Sequence, residues 1–228
     1  MTMRTLLAVS TAIGALCIST GLAAAADDYQ PMAPVTGGFY ASLHAGAYLP
    51  NDSTASFRLS GQEPIGNVNA DTGYRVGGAL GYDFNDNVAA EVELSYVRSD
   101  VSSIDVGAPF FVTQPTTGYG SVFTIMGNAV IGNDYGAWRP YVGAGIGAAL
   151  VSLDVDFASG IDDSDWALAG QVFAGVDYAL SDRASIGGRY RYTHIGSTGY
   201  TDGNGFPVGL NDFGSHSFEV VLKYRFGK

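Results

Sequence analysis

Three sets of residues carry types and spacings that could do chemistry. Gly143, Gly145 and Ala148, in PYVGAGIGAAL, fit the G-x-G-x-x-A turn that cradles a dinucleotide pyrophosphate. That turn must join a strand to a helix, and here only further alternation and an acidic segment follow. His194 and Ser197, in THIGSTG, pair a base with a hydroxyl nucleophile. Their His-x-x-Ser spacing places them on opposite faces of an extended strand. DVDFASGIDDSD, residues 154–165, offers carboxylates to a hard cation but lacks the EF-hand spacing and its closing Glu. It reads as a solvated acidic loop, and no cofactor or metal is expected. His44 is expected to be a satisfied member of an interior polar network and His216 a rim residue.

The elements that would position these residues follow from the rest of the chain. Residues 1–26 read as a cleaved secretory signal: Arg4, an apolar stretch from Leu6, and Ala24-x-Ala26 as the cleavage site. Ser10, Thr11, Ser19 and Thr20 interrupt the apolar stretch, which disfavours a transmembrane anchor. Cys17 lies in this leader, so the exported chain would carry no cysteine and no disulfide. Loss of Arg4 takes the net charge from −11 to −12, which excludes the basic face that nucleic acid needs. Residues 27–37 form a Pro-containing lead-in, expected in the periplasm.

From residue 38 onward the recurring signal has period two. Eight stretches of about 10 residues alternate, the length of a tilted membrane-spanning strand. They run over Phe39–Leu49, Tyr74–Phe84, Val88–Val97, Val122–Ile131, Pro140–Leu150, Trp166–Leu180, Ala184–Thr193 and Ser217–Phe226. One face of each is free of Asp, Glu, Lys and Arg. The other holds five basic residues (Arg75, Arg189, Arg191, Lys223, Arg225) and five acidic ones (Asp83, Glu91, Glu93, Asp177, Glu219). In a soluble sandwich the polar face would meet water and would not need balanced charge. Balanced charge suits an enclosed interior, where a charge is costly unless paired.

Connections alternate too. Short ones fall at 85–87, 132–137 and 181–183, and long ones near 50–71, 98–118, 152–165 and 194–214. Lipid cannot satisfy open backbone groups, so a spanning sheet must close on itself. The expected fold is an all-β, eight-stranded, antiparallel, up-and-down transmembrane barrel over residues 38–228, with short periplasmic turns and four long extracellular loops. Aromatic residues fall into two girdles. Phe39, Tyr82, Phe84, Trp138, Tyr178, Tyr224 and Phe226 lie near the short turns; Tyr74, Tyr96, Phe123, Trp166 and Tyr192 lie near the long loops. An eight-stranded interior is just wide enough for side chains to fill. The inward glycines, Gly143, Gly145 and Gly147 among them, leave room for large inward groups such as Tyr141, Phe173 and Arg191.

PYVGAGIG, YRYT (190–193) and SHSFEVVLKYRF (215–226) together resemble the opacity-type, OmpA-barrel-like surface proteins of Gram-negative outer membranes. The resemblance spans about residues 40–228. It implies a non-enzymatic structural, antigenic or adhesive barrel, with a C-terminal assembly signal carried by Tyr224 and Phe226. Val220 and Val221 stand where that signal usually has a polar residue and a Gly, and Gly227-Lys228 follow the terminal Phe. The implied partners are outer-membrane lipid and lipopolysaccharide, the assembly machinery, and host or surface ligands of the loops. A monomer is expected. Two other readings belong to different classes: a narrow porin, and a lipid-modifying enzyme of the lipid A deacylase kind.

Overall fold

The computed structural model describes residues 37–51, 53–57, 65–106, 112–155, 161–201 and 207–226. The expected signal segment, and the lead-in up to residue 36, lie outside them. Twelve strands are present: β1 (Gly38–Pro50), β2 (Ser53–Phe57), β3 (Ile65–Ala70), β4 (Gly73–Asp83), β5 (Val88–Val106), β6 (Val112–Gly132), β7 (Trp138–Val155), β8 (Ile161–Ala179), β9 (Ala184–Ile195), β10 (Thr198–Thr201), β11 (Pro207–Leu210) and β12 (Phe213–Arg225).

Eight of them close into a ring. The order is β5-β4-β1-β12-β9-β8-β7-β6, and β6 returns to β5 from Val88↔Ile131 to Val106↔Val112. Every pairing is antiparallel. Closure removes the sheet edges that a hydrocarbon environment forbids. The alternation read from the sequence sets which face turns where. Leu43, Leu80, Val92, Ile146, Leu168 and Val220 point outward and are all more than half exposed on the isolated chain, as lipid-facing side chains must be.

The turns at one end are short, and local hydrogen bonds fix them. Asn85 Oδ1 accepts from the backbone N–H of Asn87 and of Val88, both at 2.9 Å. Ser181 Oγ accepts from Ala184 N at 3.1 Å. Gly136 adopts a φ of +64° in the β6–β7 turn, a conformation that L side chains rarely take. The turn-end girdle packs edge to face: Phe39 on Tyr82 (5.0 Å), Tyr82 on Phe84 (5.3 Å) and Trp138 on Tyr178 (4.8 Å).

At the opposite end the structure corrects the expectation of four long loops on strands of about 10 residues. Most of the connecting sequence is itself strand. β5 to β8 are 18 to 21 residues long and run on as two paired hairpins. The segment read as loop 50–71 contains β2 and β3, and that read as 194–214 contains β10 and β11. β3 pairs with the far half of β5, β2 with β3, β11 with β2 and β10 with β11. Asp165 Oδ2 on β8 accepts from Gly199 N on β10 at 2.9 Å. A second tier therefore stands on the first, in the order β10-β11-β2-β3-β5-β6-β7-β8. Above the lipid band the outer face meets water, so the apolar alternation lapses while backbone pairing continues.

Candidate functional site: the barrel interior

The inward side chains fill the ring at three levels. Nearest the short turns, Arg225 Nε donates to Asp83 Oδ2 (3.2 Å) and Lys223 Nζ to Asp177 Oδ2 (2.9 Å). The Lys223 ammonium also sits 5.0 Å from the Tyr40 ring centre and 5.2 Å from that of Tyr141. Tyr40 and Tyr141 belong to a buried cluster with Ala89, Val130 and Phe173. Glu91 is buried beside Tyr40, Arg189 and Lys223.

The middle level is ionic and centred on Arg191. Its Nε and Nη2 donate to the two oxygens of Glu219 (2.9 and 3.2 Å). Its Nη1 and Nη2 donate to the two oxygens of Glu93 (2.5 and 3.0 Å), and Nη1 also reaches Gln171 Oε1 (2.6 Å). One planar guanidinium is thus held by two carboxylates, the geometry its fork of donors matches. Gln171 Nε2 donates to Asn128 Oδ1 (2.7 Å), and Asn128 Nδ2 returns to Glu93 Oε2 (3.4 Å). Arg189 Nη1 lies 3.5 Å from Glu93 and 3.9 Å from Glu219; its Nε donates to Tyr141 Oη (3.2 Å). Arg75 completes the level, 4.0 Å from Glu219 and 3.5 Å from the Thr193 hydroxyl. The side chains of Glu93 and Arg191 are wholly excluded from solvent.

The outer level is apolar. Tyr48, Val97, Val122, Met126, Ala149, Val151, Ala167, Ala169 and Ile195 form one buried cluster, with Phe213 packed against it. Glycines make these layers fit. A Cβ on Gly143 would run into the Phe173 ring, one on Gly175 into Tyr141, and one on Gly81 into Tyr40. Gly143, Gly145 and Gly147 share the inward face of β7, opposite Phe173, Gln171 and Ala169 of β8. No helix follows them, so the G-x-G-x-x-A spacing is a packing pattern.

All ten charged side chains singled out in the sequence face this interior, and nine of them are buried; Lys223 is half-buried. Arg139 escaped the sequence reading. It shares the parity of Tyr141, is buried, and forms a two-pronged pair with Asp134 (3.0 and 3.1 Å) beneath the turn end. His44 departs from expectation. It is buried at the ionic level, yet neither ring nitrogen has a hydrogen-bond partner; Ser42 Oγ and Arg75 Nε on the same wall share that condition. His194 points outward, half exposed, 3.4 Å from Asp212, while Ser197 lies beyond the end of β9. His216 stands on the outward face of β12, between Tyr190 and Tyr192. In 154–165, Asp154 and Asp162 are directly paired on β7 and β8; residues 156–160 lie outside the described set. Tyr224 and Phe226 face outward at the turn end, their rings edge to face at 5.5 Å.

Comparison with known proteins agrees with this architecture. Residues 13–226 match the family described as outer membrane protein beta-barrel domain. An uncharacterized protein of Brucella suis is 28% identical over 196 residues, covering 68% of this chain and 69% of its own. An uncharacterized outer-membrane protein of Sinorhizobium fredii is 28% identical over 194 residues, covering 78% and 77%. Among solved structures, the outer membrane protein OprG of Pseudomonas aeruginosa shares the fold with a TM-score of 0.57 at 18% identity, over 84% of this chain and 97% of its own. Neisserial surface protein A does so with a TM-score of 0.51 at 21% identity, over 83% and 97%. The chain belongs to the outer-membrane β-barrel domain family and is a protein of the Gram-negative outer membrane.

Proposed function

We propose that this protein is a non-enzymatic surface barrel that reinforces the outer membrane and presents its outer tier to the exterior. The observation that carries the reading is the filled interior. An aromatic–ionic level, a paired arginine–glutamate level and an apolar level are stacked along the same axis. A diffusion route for ions needs a continuous wetted path, and Glu93, Arg191, Met126 and Ala149 show no solvent exposure. The same packing supports a monomer that folds through the general assembly machinery, with Tyr224 and Phe226 as the recognised end. The outer tier is the surface available to adhesion partners, and the expected anionic charge of the exported chain weighs against nucleic acid.

Cells lacking the gene, tested for sensitivity to detergents and bulky antibiotics, examine the structural role. Sensitivity restored by the whole chain, and by a chain carrying substitutions at His194 and Ser197, is the expected outcome. Lipid A of altered acylation in the deletion strain would instead favour the enzymatic reading.

A further inference from the structure

The lipid-facing surface carries one polar ring system that the interior does not explain. His216 lies ten residues along β12 from Phe226. At roughly 3.3 Å per residue and a tilt of about 40°, it stands about 25 Å above the turn-end girdle, the height of the apolar band. It therefore meets the outer lipid boundary, level with Tyr192 of β9 and Leu49 of β1, its partners across the sheet. Its ring stacks on Tyr190 at 5.9 Å and 23° and leans on Tyr192 at 5.2 Å. Nδ1 and Tyr190 Oη are 2.7 Å apart. When the hydroxyl donates, the neutral imidazole is held in the tautomer whose hydrogen is on Nε2. Nε2 has no hydrogen-bond partner among the described residues, and it is a donor in both the neutral and the charged ring.

Among the described residues, no carboxylate faces this ring. Its neighbours are Leu49 on β1, Tyr190 and Tyr192 on β9, and Gly214 and Phe218 on β12. Glu219 on β12 faces the interior, and Asp212, beyond the end of β12, pairs with His194. An N–H donor oriented by an aromatic shelf suits a phosphate oxygen. At this height on a lipid-facing wall, that oxygen belongs to a lipid headgroup.

We propose that His216, oriented by Tyr190 and flanked by Tyr192, holds the headgroup phosphate of an outer-leaflet lipid against the β9–β12 face. The proposal rests on the membrane placement of the barrel and is independent of whether the interior conducts. The test is native mass spectrometry of the purified full-length barrel with lipid A, dephosphorylated lipid A or inorganic phosphate. His216→Phe keeps the aromatic shelf and removes the donor; Tyr190→Phe removes the tautomer constraint. Folding of each variant is verified by resistance of the unheated barrel to detergent on gels. The expected result is roughly tenfold lower retention of lipid A in H216F, a smaller loss in Y190F, and unchanged retention of the dephosphorylated lipid. Equal retention by wild type and folded H216F overturns the proposal. So does displacement of lipid A by inorganic phosphate at millimolar concentration, which would mark a soluble-anion site.

Discussion

Arg191 shows what enclosure demands of a single residue. It is removed from solvent and gripped by Glu93 and Glu219. Taking two carboxylates and one guanidinium out of water is repaid only by this dense pairing. Arg191→Leu leaves two buried acids facing each other and should lower stability by about 3–5 kcal/mol. Urea titration of the folded gel band in lipid vesicles measures it. Arg191→Lys should recover only part of the loss, because an ammonium lacks the planar fork. Gly143 shows the reverse constraint, a side chain that must be missing. Gly143→Val drives methyl groups into the Phe173 ring and should cost about 1–3 kcal/mol. Adding Phe173→Ala should return part of it in the same titration, whereas a loss unaffected by the second change would place the strain elsewhere.

Elements differ in how openly the sequence announces them. Within the lipid band the outer face must be apolar, so period two is forced and the parity of all eight staves could be read directly. The inward placement of Arg75, Glu93 or Asp177 followed from counting residues. Above the band that constraint ends. β2, β3, β10 and β11, the far halves of β5 and β6, and the far ends of β7 and β8 carry polar and apolar residues without strict alternation, so the sequence presents them as loops. Arg139 was missed because it adjoins a turn, where parity is hard to extend. The orphaned ring of His44 depends on distances between strands that no periodicity encodes. The two tiers should be separable. Replacing residues 53–69 and 199–210 with short Gly-Ser linkers removes β2, β11 and nearly all of β3 and β10 but leaves the ladders of the eight-strand ring intact. The shortened chain should still run faster unheated than boiled. Loss of that difference would show that the outer tier is needed for closure.

At the scale of the whole molecule, one apolar surface faces lipid while the centre is ionic, inverting the layout of a soluble globule. This inversion explains the composition: 32 glycines, 26 Tyr and Phe residues, and two lysines. The central claim is that the ring is closed by its own side chains. Single-channel recording in planar bilayers, on protein shown by its gel mobility to be folded and inserted, addresses that claim most directly. The account predicts a silent bilayer, with no steady openings in the wild-type protein. Steady, ion-selective openings that vanish when Arg189 and Arg191 are neutralised would contradict it and establish a pore through the ionic level.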